Sequence, residues 1–251
     1  MAYHIKVEEG IMTFTIDRPE IRNAINDEVT EGLELLTQQV AQDETIRLVI
    51  ITGAGKQAFC SGGDLSVFHA LRTEEQAYPM LKRVGDALYG IKTLPVPTIA
   101  LINGTAVGGG CELATACDHR LVWSHAKGGF IQGRLAMTSG WGGGTYLFDA
   151  IQHSQAMKMV TEAVPYTADQ LYASGWATEI IESEADIDRF LEQMKKTLPE
   201  VHRAYKAMAI RKWEQSGLKA RVDEEIRTNA YLWAQDAHHE AVDRFLSKGK
   251  K

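Results

Sequence analysis

Cysteine is scarce in this 251-residue chain. Cys60, Cys111 and Cys117 are too few and too irregular for a disulfide framework, and the six-residue gap between the last two fits neither a zinc pair nor a redox CxxC. All three read as small buried hydrophobes, and we assign no metal site. Also missing is any apolar run near the roughly 20 residues that span a bilayer, and the opening Met1-Ala2-Tyr3-His4-Ile5-Lys6 lacks the apolar core of a signal peptide. The expectation is a soluble, cytoplasmic protein with no membrane partner. Positive charge is not in excess either: 27 Lys and Arg against 33 Asp and Glu leave a net charge of −6. That balance argues against a nucleic-acid partner, whose binding rests on neutralising phosphates. The nucleotide signatures fail as well, because Leu113 stands three residues after Gly110 and Thr145 three after Gly142, where GxGxxG needs glycine. GK[ST] and GxSxG are absent, which removes the phosphate loop and the usual nucleophile elbow.

What the chain does have is enough apolar sequence for a sizeable core, 45% with 24% charged, and a regular alternation of strand and helix signals. The first fifty residues read as strand, strand, helix, strand. Residues 11–16 form a strand stopped by Asp17-Arg18-Pro19; Ile25, Val29, Leu33, Leu36 and Val40 mark one face of a helix. The continuous apolar run 48–53 suits a strand covered on both faces. A helix over 73–92, a strand at 98–103, a helix at 110–117 and a strand at 120–123 follow. Thr167 to Gly175 reads as a short helix with a capped start and a glycine stop, then a strand at 178–181. From there the chain is helical: Ile187, Phe190, Leu191 and Met194 mark one helix, Val201, Tyr205, Met208 and Lys212 a second, and Ile226, Ala230, Trp233 and Ala237 a third. Their apolar faces make an assembly surface. The tail Lys248-Gly249-Lys250-Lys251 reads as a solvated end.

Glycine, with 22 copies, is concentrated where strands hand over to helices. The stretch Ile102-Asn103-Gly104-Thr105-Ala106-Val107-Gly108-Gly109-Gly110-Cys111-Glu112 brings a strand through a turn into a helix whose first N–H groups have no intrahelical partner. That end also carries the positive pole of the helix dipole, so negative charge on an oxygen is stabilised there. Glu112 lies in the first turns, where a carboxylate serves either chemistry or the dipole. The earlier segment Phe59-Cys60-Ser61-Gly62-Gly63-Asp64-Leu65 taken alone is a turn into a helix capped by Ser61 or Asp64; paired with Gly108-Gly109-Gly110 it is half of a binding site.

These two segments, in this order and about 40 residues apart, together with Ala116-Cys117-Asp118, Arg18-Pro19, Asn23-Ala24 and Gly142-Gly143, resemble the crotonase (enoyl-CoA hydratase/isomerase) superfamily along almost the whole chain. The resemblance implies an α/β fold, a ββα superhelix with a C-terminal helical trimerisation region. It divides the chain into a core carrying the acyl-CoA site (1–182) and a helical region for packing and oligomerisation (183–251), with a homotrimer or dimer of trimers as the assembly. It implies acyl-CoA thioester substrates, with coenzyme A part of the substrate and no further cofactor required. By motif position, the N–H groups of Gly63 and Gly109 would polarise the thioester carbonyl and hold the enolate oxygen. The CoA moiety would lie near Arg22, Ala24, Asp64 and Leu65, with Arg22 the phosphate contact.

One position departs from the pattern. Hydratases of this superfamily carry two glutamates; the first matches Glu112, but the second falls on Gln132. An amide holds a water or a thioester but exchanges no proton, and general acid–base help is worth about 10²–10⁴ in rate. Three readings follow: hydration or isomerisation with Glu112 as the single acid, decarboxylation of a branched malonyl-CoA, or acyl-CoA binding without turnover. Phe59-Cys60-Ser61-Gly62, Trp141 beside glycines and Pro199-Glu200-Val201 resemble the ethylmalonyl-CoA decarboxylase branch. Trp141 would then wall the acyl pocket, and Arg134 would either pair a substrate carboxylate or serve in a surface ion pair.

Overall fold

The computed structural model describes residues 1–248; Gly249-Lys250-Lys251, the end of the expected solvated tail, lies outside the described residues. In chain order the elements are β1 (Tyr3–Glu8), β2 (Ile11–Ile16), α1 (Asp27–Gln42), β3 (Leu48–Gly53), β4 (Ala58–Cys60), α2 (Leu65–Phe68), α3 (Glu74–Lys92), β5 (Thr98–Ile102), β6 (Thr105–Val107) and α4 (Gly109–Ala116). They continue through β7 (His119–Trp123), β8 (Lys127–Gly129), α5 (Gly143–Ala150), α6 (His153–Glu162), β9 (Tyr166–Thr167), α7 (Ala168–Ala173) and β10 (Glu179–Ile181). The chain then runs through α8 (Glu184–Lys195), α9 (Pro199–Gln215), α10 (Leu218–Trp233) and α11 (Asp236–Lys248).

β1 and β2 pair antiparallel around Glu9-Gly10, both at positive φ, the turn geometry that matches the twist of a hairpin. Met12, Phe14 and Ile16 are buried while the residues between them are half-buried, the period of two expected of a strand with one face inward. The rest of the six-stranded sheet, β1-β2-β3-β5-β7-β10, is parallel. A second sheet has the order β4-β6-β8-β9. The consecutive strands β3 and β4, β5 and β6, β7 and β8 each split between the two sheets, and each pair is followed by helix. This is the ββα repeat the resemblance implies.

The main apolar cluster lies between the large sheet and α1, α3, α4 and α5, and it includes Val222, Ile226, Ala230 and Trp233 of α10. On the opposite face of the sheet, Leu48, Ile50, Ile99 and Leu121 pack against Ile187, Phe190, Leu191 and Met194 of α8. Burying each large side chain of this kind contributes about 1.5–3 kcal/mol. The stripe on α9 meets no core: Val201, Tyr205 and Met208, with Leu198 before them, are exposed.

Two sequence-based boundaries shift. The periodicity from Ile226 to Ala237 reads as one helix, but the chain breaks at Ala234-Gln235 and Ala237 sits on α11; the break lets His238 turn in and donate from Nδ1 to the Leu135 carbonyl, 2.7 Å away. The segments 58–60 and 105–107 read as parts of turns leading into helices; each is a three-residue strand of the small sheet, as is 127–129. Three residues are too few to show a period of two.

Candidate active site

α4 enters from β6 through Gly108, whose φ of 56° and ψ of −123° are closed to residues with a β-carbon. A β-carbon on Gly110 would overlap the Cys60 carbonyl oxygen of β4, and one on Gly109 would fall inside the Trp141 ring. Trp141, itself buried, covers Gly63 too: a β-carbon there would stand 3.4 Å from its Cζ2. Gly63 is fixed by a parallel bridge to Ile25, with Ile25 N–H donating to the Gly62 carbonyl at 2.8 Å and Asp64 N–H to the Ile25 carbonyl at 2.9 Å. Among the described residues, neither the Gly63 nor the Gly109 N–H donates to a protein acceptor outside the regular helix and strand ladders. Gly109, as the first residue of α4, has no intrahelical acceptor.

Glu112, one turn into α4, is 3% exposed. Its Oε1 accepts from Gln132 Nε2 at 2.9 Å and Gly140 N–H at 3.2 Å, and its Oε2 from Trp141 N–H at 2.8 Å and Gly143 N–H at 3.0 Å. The 139–143 turn aims these amides because Gly142 takes φ 92° and because a β-carbon on Gly143 would overlap the Glu112 side chain. Four donors fill the acceptor positions of the carboxylate. Burial pushes its pKa up and the nearby Glu225 charge adds to that; the Trp141, Gly143 and Gly140 amides pull it down, and the balance is about 7.

Gln132 begins a 3₁₀ turn, Gln132–Leu135, and is buried. Its Nε2 faces Glu112, and its Oε1, also buried, has no partner among the described residues. Arg134, on the same turn, is exposed and makes no ion pair among the described residues, neither at the surface nor toward Glu112. The structure therefore brings together Gly63, Gly109, Glu112, Gln132 and Trp141, and leaves Arg134 out of that group.

A second cluster adjoins Gly63. Arg22 is exposed and left-handed (φ 57°), and its carbonyl accepts from Ser61 N–H at 3.1 Å. The buried Ala24 presents its carbonyl to Arg18 Nη1 at 2.7 Å. Asp64 caps α2 through Ser66 N–H (3.0 Å) and pairs with Arg18 Nη2 at 2.8 Å. Burial opposes its charge, but the Ser66 and Arg18 donors outweigh burial and hold its pKa below the usual carboxylate range. Asp64 is thus occupied by the protein, while half-buried Leu65 opens α2 beside it.

Sequence reasoning missed Glu225. From α10 its Oε1 accepts from Gly144 N–H at 3.1 Å, and its Oε2 from Thr145 N–H at 2.7 Å and Thr145 Oγ1 at 2.6 Å. The signal was there in the spacing: Val222, Glu225 and Asn229 lie three and four apart, which puts two polar side chains on a buried helical face. Asn229 donates from Nδ2 to the Thr138 carbonyl, so α10 holds both ends of the turn that wraps Glu112. Among the described residues, no three His, Cys, Asp or Glu side chains are grouped to hold a metal ion.

A split-sheet ββα core with a glycine-flanked helix start and a buried carboxylate is the fold of crotonase-type enzymes. The solved enoyl-CoA hydratase of Bacillus halodurans superimposes with a TM-score of 0.88 over 97% of this chain and 100% of that one, at 21% identity. Residues 6–251 match the family model described as enoyl-CoA hydratase/isomerase, and the chain belongs to that family. Its relatives include the (E)-benzylidenesuccinyl-CoA hydratase of Thauera aromatica, 32% identical over 84% of this chain and 82% of that protein. The ethylmalonyl-CoA decarboxylase of Bos taurus is 30% identical over 98% of this chain and 80% of that protein.

Proposed function

We propose that this protein binds an acyl-CoA thioester and carries it through an enolate, hydrating or isomerising an enoyl-CoA. The observation that carries the reading is the pair of N–H groups on Gly63 and Gly109, without partners outside the ladders, lying under one indole with a buried carboxylate on the same helix. The thioester oxygen takes the place between those donors. As water adds to C3 the carbon–carbon π bond breaks, the electrons reach that oxygen, and the donors bind the enolate more strongly than the ketone-like ground state. One such donor is worth about 3–4 kcal/mol when removed.

Glu112 takes the proton from the adding water and returns it to C2, so one group serves both transfers. To do so it must first free an acceptor position, and the Gln132 amide, a side chain rather than backbone, is the donor that can rotate away. The CoA moiety lies along Arg22, Ala24, Asp64 and Leu65, and arrives as part of the substrate. Trp141 walls the acyl pocket. The helical region 183–251 serves as the oligomer contact, in a homotrimer or dimer of trimers, with the α9 stripe as its apolar surface. We place the enzyme in the cytoplasm; among the described residues no helix is long and apolar enough to cross a membrane.

A second reading is favoured by Gln132 and by the saturated Glu112: loss of CO₂ from a branched malonyl-CoA. There the C–CO₂ bond breaks, its electrons make an acyl-CoA enolate held by the same donors, and C2 then takes a proton from an acid or water, so no base is needed. Product analysis with crotonyl-CoA and ethylmalonyl-CoA in parallel separates the two. Hydration of the first without CO₂ from the second supports the primary reading, and the reverse replaces it. Binding of both without turnover leaves an acyl-CoA binder.

A further inference from the structure

The N-terminal turn of α5 is shared between two carboxylates from distant parts of the chain. Glu112 of α4 holds the amides of Trp141 and Gly143; Glu225 of α10 holds those of Gly144 and Thr145 and the Thr145 hydroxyl. The four amides belong to one continuous turn, so neither carboxylate can shift without moving the donors of the other. We propose that Glu225 is the positioning residue of this site: it clamps the start of α5 so that Trp141 and Gly143 present their amides to Glu112, and it places a second carboxylate on the turn that Glu112 holds. The proposal rests on the reading of Glu112 as the proton-handling group.

The other titratable groups around this turn do not compete for that role. On α5, the buried Tyr146 phenol has its pKa raised far above its ordinary value, by burial first and then by Glu225 and Glu112. On α4 and β4, burial pushes the Cys111 and Cys60 thiols up as well, so all three stay neutral across the working range. On α3 and α10, Asp86 and Asp223 are engaged by Lys82 and Lys219. Arg221, one turn before Glu225, is paired with Asp149 at 2.7 Å. Glu225 is the carboxylate that shares a helix end with Glu112.

The test is a titration of Glu112 by ¹³C NMR on protein labelled at the glutamate carboxyl, assigned with Glu112→Gln, alongside the pH profile of kcat. Glu225→Gln is expected to lower the Glu112 midpoint by about one pH unit, since a like charge nearby disfavours ionisation. The limb of the rate profile that reports Glu112 should move down with it, while KM for the acyl-CoA stays within about twofold. Glu225→Asp restores part of the shift. Thr145→Val removes only the hydroxyl contact, keeps the Gly144 and Thr145 amides on Glu225 and keeps the charge, and should leave the midpoint in place; it also serves if Glu225→Gln does not fold. A Glu112 midpoint unchanged in Glu225→Gln, or moved equally by Thr145→Val, overturns the proposal. Full turnover by Glu112→Gln would instead sink the catalytic reading of Glu112, and the NMR midpoint would still decide the case for Glu225.

Discussion

At its C-terminal end, α4 runs into charges that complement it. Arg120 Nη1 donates to the Cys117 carbonyl at 2.8 Å and its Nε to the Trp176 carbonyl. Asp118 accepts from Thr98 N–H at 2.9 Å and from Lys206 Nζ at 2.9 Å, and Lys206 also donates to the Lys92 carbonyl. Lys92 lies 4.4 Å from the centre of the Trp213 ring. Cations at this end suit the negative pole of the helix. The N-terminal end is less complete among the described residues: the Gly109 N–H has no side-chain cap, and the one acid of the first turn, Glu112, is held by amides alone. One end is finished as structure and the other is left to receive charge. The lesson is that a site shows itself where a helix end has been left incomplete.

The sharpest way to break this contrast is to close the open end. Gly109→Ala puts a methyl where the Trp141 ring lies, and should cut turnover by about 10³ through the displaced donor and destabilise by about 1–3 kcal/mol through overpacking; steady-state kinetics and urea unfolding read both. Glu112→Gln should lower kcat by about 10²–10⁴, with thioester affinity retained in calorimetry. Emptying the closed end has the opposite signature. Asp118→Ala leaves the buried Lys206 without its partner and should cost about 3–5 kcal/mol in urea unfolding, while kcat of the folded fraction stays the same.

A smaller effect is pH-linked. Glu112 titrates near 4.5 when unfolded and near 7 when folded, so the folded state binds the extra proton between those values. Stability should therefore fall as pH rises from about 4.5 to 7, by roughly 3 kcal/mol in total at 1.36 kcal/mol per pH unit. Glu112→Gln should flatten that slope in urea midpoints. Smallest of all is Lys92→Met. Burial lowers the Lys92 pKa to about 8, with Asp118 opposing, so its charge costs stability below pH 8 and the cost fades as pH rises from there to its unfolded value. The variant should change stability at pH 7 by less than about 1.5 kcal/mol, because loss of the cation–π contact offsets the relief.

Most of the architecture was legible because its elements are long enough to repeat a pattern. The spacing of Val29, Leu33, Leu36 and Val40 predicts α1, and all four are buried; the apolar run 48–53 predicts β3, covered on both faces. Gly63, Gly109, Glu112 and Gln132 were reached by motif and counting; the fold sets Gly63 and Gly109 against the Trp141 ring and Gln132 against Glu112. What stayed hidden depends on tertiary position. Strands of three residues leave no period, and the α10–α11 break carries neither glycine nor proline. Glu225 sits 80 residues from its Thr145 partner, a distance over which only the fold fixes a pairing.

That last separation bears on how the molecule is made. A ribosome delivers the chain from its N-terminus, and domains fold as their sequence becomes available. The helix α4 and the turn 139–143 are synthesised well before α10, so through that interval Thr138, Gly144 and Thr145 lack the partners that later secure the turn. Glu112 precedes Glu225 in the order of synthesis, so the contacts that secure its turn close only once α10 has been made.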